Sequence, residues 1–266
     1  MVTTERLTPE VNKDGLEVDG RARDETSAFR SGRRDSHQSA GVRRAPADAR
    51  GPAWWLALVV CKPLLLLVRR ADWRGTERLP GSGGAVLAAN HVSQADPLFL
   101  AEMVLAQGRT PRFMAKSSLF QSRAVGWWFR SAGHVQVDRS DGRAGIRAAI
   151  EAVDRGALVV VYPEGSITNR PDARLMSLRS GAVRIALETS VPLIPVAQWG
   201  VQAIAPAYEG RVVLGRRRRV TLLVGDPVPL EDLRELPTAT AAAAGVQRLQ
   251  GTLAAMVDQL ADEHAR

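Results

Sequence analysis

From Gly83 onward, short apolar runs alternate with stretches of helical periodicity, and that alternation leaves few folds open. Ala85–Ala89, Arg112–Ala115, Val135–Val137, Leu158–Tyr162 and Leu193–Ala197 read as strands. Leu158–Tyr162 is the strongest of them, bounded by Gly156 and Pro163. Helices are expected over Pro97–Ala106, Leu119–Ser131, Arg143–Asp154 and Gly181–Thr189. Pro97 suits a helix start, where its missing N–H would find no partner anyway. Val212–Leu214 and Val220–Val224 are expected as later strands, and the Ala-rich stretch Ala241–Ala261 as a closing helix. Strands alternating with helices predict an α/β fold, with a mixed, largely parallel sheet flanked by helices.

The first 50 residues carry many charges, Ser and Gly without apolar periodicity, so a disordered tail is expected over 1–50. They lack the apolar stretch and small-residue cleavage site of a secretory signal. The run Ala53–Val68 follows, interrupted by Lys62 and Pro63. It is shorter than the roughly 20 apolar residues of a bilayer span. Trp54 and Trp55 open it, and Arg69 and Arg70 close it. Trp favours the membrane interface and Arg can snorkel to headgroups. Residues 51–75 are therefore expected to form a membrane-interface helical segment, kinked at Pro63, with a buried core helix as the alternative. The remaining body is expected over 76–266.

A formal charge of +8 points to an anionic partner: nucleic acid, an anionic membrane or a phosphorylated substrate. No helix-turn-helix, zinc or RNP-type pattern is present, which argues against nucleic acid. The single cysteine, Cys61, excludes an intrachain disulfide and a multi-cysteine metal site, and no metal is expected.

Three segments carry chemistry. Asn90-His91-Val92-Ser93-Gln94-Ala95-Asp96-Pro97 lies between a strand and a helix, where open α/β sheets place their sites. Across that turn a carboxylate at 96 can reach the imidazole of His91, fix its tautomer and leave the other nitrogen as a base. An N-capping Asp96 beside an incidental surface His91 is the plain alternative. Tyr162-Pro163-Glu164-Gly165-Ser166 follows the strongest strand. Gly165 suits a turn with positive φ, and Ser166 offers a hydroxyl and an N–H. In Gly133-His134-Val135-Gln136-Val137-Asp138-Arg139, the guanidinium of Arg139 stands at a strand end and suits phosphate.

In this order the segments resemble the glycerolipid acyltransferase family, typified by bacterial 1-acylglycerol-3-phosphate acyltransferases. The resemblance runs from about Trp54 to Val224. NHVSQADP is similar to the family's NHxxxxD block, GHVQVDR to its second, YPEGS to its FPEG(S/T) block and VPLIPVAQWG to its fourth. The resemblance implies an acyltransferase domain over 76–266, with His91 as general base and Asp96 orienting it. It implies direct attack of an acceptor hydroxyl on acyl-CoA or acyl carrier protein, with no acyl-enzyme and no further cofactor. Glu164, Gly165 and Ser166 would lie beside the acceptor's glycerol phosphate, and Lys116 and Arg139 would neutralise the phosphate. The implied partners are a lysophospholipid, an acyl thioester and the cytoplasmic face of the cell membrane, which the protein would join as a peripheral or monotopic enzyme. Transfer to glycerol 3-phosphate, another lysophospholipid or a glycolipid is the alternative.

One position departs from the pattern. The family's third block usually continues with Arg, and here Ile167 stands there. Arg170, Arg174 and Arg179 are the next basic residues, and the sequence does not rank them. His134, four residues before Asp138, is a weaker rival dyad. Ser93 and Ser166 lack the GxSxG context of a nucleophile.

Overall fold

A computed structural model describes residues 51–266 except 139–141 and 214. The expected N-terminal tail and Arg139 lie outside the described residues. Helix α1 (Pro52–Val68) runs without a break into strand β1 (Arg69–Arg74). Then come β2 (Ala85–Ala89), α2 (Asp96–Ala106), β3 (Pro111–Lys116), α3 (Ser117–Gln121), α4 (Arg123–Ser131) and β4 (Val135–Val137). Helix α5 (Gly142–Asp154), β5 (Leu158–Val161), α6 (Gly181–Thr189), β6 (Leu193–Trp199), β7 (Arg218–Val224) and α7 (Thr238–Ala265) complete the order.

The strands form one sheet in the order β1-β7-β6-β2-β5-β3-β4. Neighbours are parallel except β6 and β7. This is the mixed, largely parallel α/β sheet that the alternation predicts. Ala85, Leu87 and Ala89 of β2 face one layer, with Phe99, Leu100 and Met103 of α2 and Trp54 and Leu65 of α1. Val86 and Ala88 face the other layer, with Ala149 and Val153 of α5 and Val183 and Ile185 of α6. Burial on both faces explains why β2 and β5 read as unbroken apolar runs rather than alternating ones. Helix α7 covers β6, burying Leu253, Val257 and Leu260 beside Ala197.

Several expectations are corrected. The single helix over Leu119–Ser131 is two helices, because Ser122 adopts an extended backbone between α3 and α4. No strand forms over 211–213; Val212 is exposed, and Val213 donates its amide to Ile204 instead of to a neighbouring strand. The helical segment expected over 51–75 ends at Val68, and its last residues form strand β1, with the charged sequence RRADWR. It pairs in parallel with β7, and Asp72 accepts hydrogen bonds from Arg74 and Arg219.

Two residues expected at a membrane interface are buried instead. Trp54 is 2% exposed, and its Nε1 donates to Ala132 O at 3.1 Å. Trp128 of α4 returns a hydrogen bond to Ala53 O at 2.9 Å. Arg69 does not reach toward headgroups. It is buried against Glu102 of α2, with Nε 2.8 Å from Oε2 and Nη2 bonded to Oε1. A guanidinium and a carboxylate taken from water together are tolerable, but one left alone is not. Glu102→Leu strands the Arg69 charge and lowers stability by about 3–5 kcal/mol. Urea unfolding of the variant against the parent measures the loss.

Candidate active site

β2, β5 and β3 run parallel, so their C-terminal ends open on one edge of the sheet. The chemistry-bearing segments follow those ends. Asn90 leaves β2 and is fixed by the adjoining strand: its Oδ1 accepts the amide of Gln198 at 2.8 Å, and its Nδ2 donates to Gln198 O at 3.1 Å. This clamp sets where the next residue, His91, departs from the sheet.

His91 is held from four sides. Its amide donates to Glu164 Oε1 at 2.7 Å, and its carbonyl accepts the amide of Thr168 at 2.7 Å. Its ring stacks on Tyr162, with centroids 4.2 Å apart and planes 21° apart. Its Nδ1 lies 2.8 Å from Asp96 Oδ2. That oxygen also accepts the amides of Val92 and Ser93, at 2.7 and 2.8 Å. An ionised carboxylate only accepts, so Nδ1 carries the hydrogen and Nε2 keeps its lone pair. The imidazole retains 16% exposure while Asp96 is fully buried. Burial pushes the Asp96 carboxyl above its usual range; the imidazole and the two amides pull against that. Burial also pushes the Tyr162 hydroxyl well above its ordinary range, so it stays neutral beneath the imidazole. The arrangement can take a proton at Nε2 and stabilise the resulting cation through Asp96.

Glu164 is tied to the same loop. It is 5% exposed, and both oxygens are taken by backbone amides, Oε1 by His91 and Oε2 by Met176 at 2.9 Å. Burial raises its carboxyl above the ordinary range. It is a strut that joins the loop after β5 to the loop after β2. Gly165 beside it has φ +78°, the left-handed conformation that glycine adopts without penalty. Ser166 is exposed on the same turn, and Lys116 is exposed at the end of β3. The structure thus joins His91, Asp96 and Glu164 by direct hydrogen bonds and sets Gly165 and Ser166 next to them. Lys116 reaches the same edge without a direct bond to them.

Sequence reasoning did not single out Asn90, Tyr162 or Thr168. Asn90 and Tyr162 sit inside the quoted segments, but their partners lie on other strands, and no local pattern announces that. His134 is not a second dyad. It is buried among Trp54, Phe113, Trp128 and Phe129, and its Nδ1 accepts the Phe113 amide at 3.1 Å. Among the described residues no group of three or more His, Cys, Asp or Glu is placed to hold a metal ion.

With this geometry in view, residues 70–199 match the family model named Acyltransferase. The chain carries an acyltransferase-family domain. Over 185 residues it is 27% identical to the 1-acyl-sn-glycerol-3-phosphate acyltransferase of Bacillus subtilis (strain 168), covering 69% of this chain and 86% of that one. Over 141 residues it is 33% identical to a chloroplastic 1-acyl-sn-glycerol-3-phosphate acyltransferase of Brassica napus, covering 52% of this chain. That match spans only 39% of the Brassica protein. Among solved structures it resembles the 1-acyl-sn-glycerophosphate acyltransferase of Thermotoga maritima, with a TM-score of 0.53 and 28% identity. That likeness covers 74% of this chain and 79% of the other.

The acyltransferase domain carries a pH signature of its own. Burial and the charge of Arg112 hold His134 down at about 3. Between that value and the reference of about 6.5, only the unfolded chain binds the proton, so stability falls as pH falls through this window. His134→Gln removes the titration. Its stability deficit relative to the parent narrows by about 2 kcal/mol between pH 7 and pH 5, read from denaturant midpoints at both values.

Proposed function

We propose that this chain transfers an acyl group from acyl-CoA or acyl carrier protein to the free hydroxyl of 1-acylglycerol 3-phosphate, giving phosphatidate. The observation that carries the reading is the His91–Asp96 pair at 2.8 Å, with the imidazole still partly exposed at the end of β2. The acceptor hydroxyl gives its proton to His91 Nε2 as its oxygen attacks the thioester carbonyl. The C–O bond forms, the C–S bond breaks, and the imidazolium returns the proton to the departing thiolate. Asp96 balances the charge of the imidazolium between those steps. The acyl thioester is a co-substrate, and the scheme uses no other cofactor. Lys116, Arg139, Glu164, Gly165 and Ser166 are proposed to border the acceptor, and Glu164 also holds the His91 loop for it.

Both the acceptor and its product live in bilayers, and α1 suits such a surface. Trp54 and Leu65 point into the body, whereas Trp55, Leu56, Val59, Val60, Leu64 and Leu67 are exposed. Between α1 and α2 lies a groove of about 570 Å³, lined by Trp55, Val59, Leu66 and Trp73 together with Lys62 and the Arg69–Glu102 pair. Among the described residues no helix is long and apolar enough to cross a membrane. We propose that α1 rests in the headgroup layer of the cytoplasmic face, as a peripheral or monotopic anchor beside basic residues such as Arg70.

His91→Ala is expected to lower acyl transfer by about 10²- to 10⁴-fold while the fold persists, scored by phosphatidate formed from lysophosphatidate and acyl-CoA. Asp96→Asn is expected to lose no more than that, because Asp96 acts through His91. Wild-type turnover in His91→Ala overturns the mechanism, and product from glycerol 3-phosphate or a glycolipid alone moves the assignment to that acceptor. Trp55→Ser with Leu67→Ser is expected to weaken sedimentation with anionic liposomes at least several-fold, at unchanged turnover of detergent-dispersed substrate.

A further inference from the structure

The proposed acceptor brings a phosphate dianion to within a few bonds of the hydroxyl that meets His91. A cation is needed there, and Ile167, next after Ser166, supplies none. The three arginines that follow are not equivalent in the structure. Arg170 is spent on Asp172, with Nε–Oδ1 at 2.9 Å and Nη2–Oδ2 at 2.8 Å. Arg174 turns away to α7, where it pairs with Asp258 and Asp262. Arg179 does neither. Among the described residues its exposed guanidinium has no hydrogen bond or ion pair.

Its position is also distinct. The Arg179 amide donates to Pro163 O at 2.8 Å, which pins its backbone to the turn that carries Glu164. Its side chain lies across Gly165: a β-carbon added there would stand 2.7 Å from Nε and 3.1 Å from Cζ. Gly165 is the next residue after the one whose carboxylate holds the His91 amide at 2.7 Å. Glu164 makes no ion pair with the guanidinium; its oxygens accept the amides of His91 and Met176. Among the described residues the guanidinium is thus exposed and unpaired, and it lies over the glycine of the turn whose Glu164 holds the His91 amide.

We propose that Arg179 grips the phosphate monoester of the acceptor, taking over in space the task that position 167 does not perform. This rests on the phosphate-bearing acceptor assigned above. A planar guanidinium engages two phosphate oxygens through a fixed fork of parallel N–H groups, a geometry that a lysine ammonium lacks.

Binding and turnover test the two claims separately. Lysophosphatidate binding is measured by calorimetry in detergent micelles on His91→Ala protein without acyl donor, so that nothing turns over, with and without R179A. R179A is expected to weaken that binding by at least about tenfold. Monoacylglycerol, the same lipid without phosphate, and CoA are expected to bind within about twofold of the control. R170A is expected to leave all three unchanged, and R179K to restore part of the loss. R179Q replaces R179A should the latter fail to fold. Unaltered lysophosphatidate binding in R179A overturns the proposal, as does a loss confined to CoA, which would put the guanidinium on the donor side. If the parent protein binds lysophosphatidate through Arg179 but makes no phosphatidate, the phosphate site stands and the reaction assignment falls. If the parent does not bind it at all, both fall.

Discussion

One carboxylate oxygen organises the loop after β2. Asp96 Oδ2 accepts the amides of Val92 and Ser93 together with the imidazole hydrogen of His91. The two amides curl the backbone around the carboxylate and the third donor points the ring. Because Asp96 is also the first residue of α2, the positive end of that helix favours its ionised form. Take the oxygen away and three donors lose their partner in a place water does not reach. Loop shape, ring tautomer and charge balance are therefore one property rather than three.

That loop would still be free to swing if it were tied only to itself. Glu164 ties it to the segment after β5, and the Thr168 amide ties it again through the His91 carbonyl. Tyr162 lies flat against the ring from below. All three residues lie on the segment that follows β5, the strand adjoining β2, so the sheet's rigidity is passed to the base. A buried carboxylate with both oxygens on amides gains nothing from being mobile. It suits a residue that positions chemistry for another.

The parts legible in the sequence are those decided within a few residues. β4 and α6 lie where the pattern puts them, and β2 and β5 announce themselves because both their faces are buried. The His91–Asp96 contact spans five residues across a turn and needs no distant partner. What stays hidden depends on neighbours far along the chain. β1 is written in arginines and an aspartate, and becomes a strand because β7 and its own Arg219 answer them. Trp54 and Trp55 look alike in sequence, yet α4 covers one and leaves the other exposed. Glu164 resembles a free ligand until β2 and β5 are seen side by side.

No linker separates α1 from the sheet: Val68 ends the helix and Arg69 begins the strand. The junction is doubly fastened, by Trp54 and Trp128 at one end and by Arg69 and Glu102 at the other. The apolar helix is accordingly a keel rather than a tether. Whatever surface meets its outer side also fixes the tilt and height of the whole sheet, and with them the direction in which the imidazole looks.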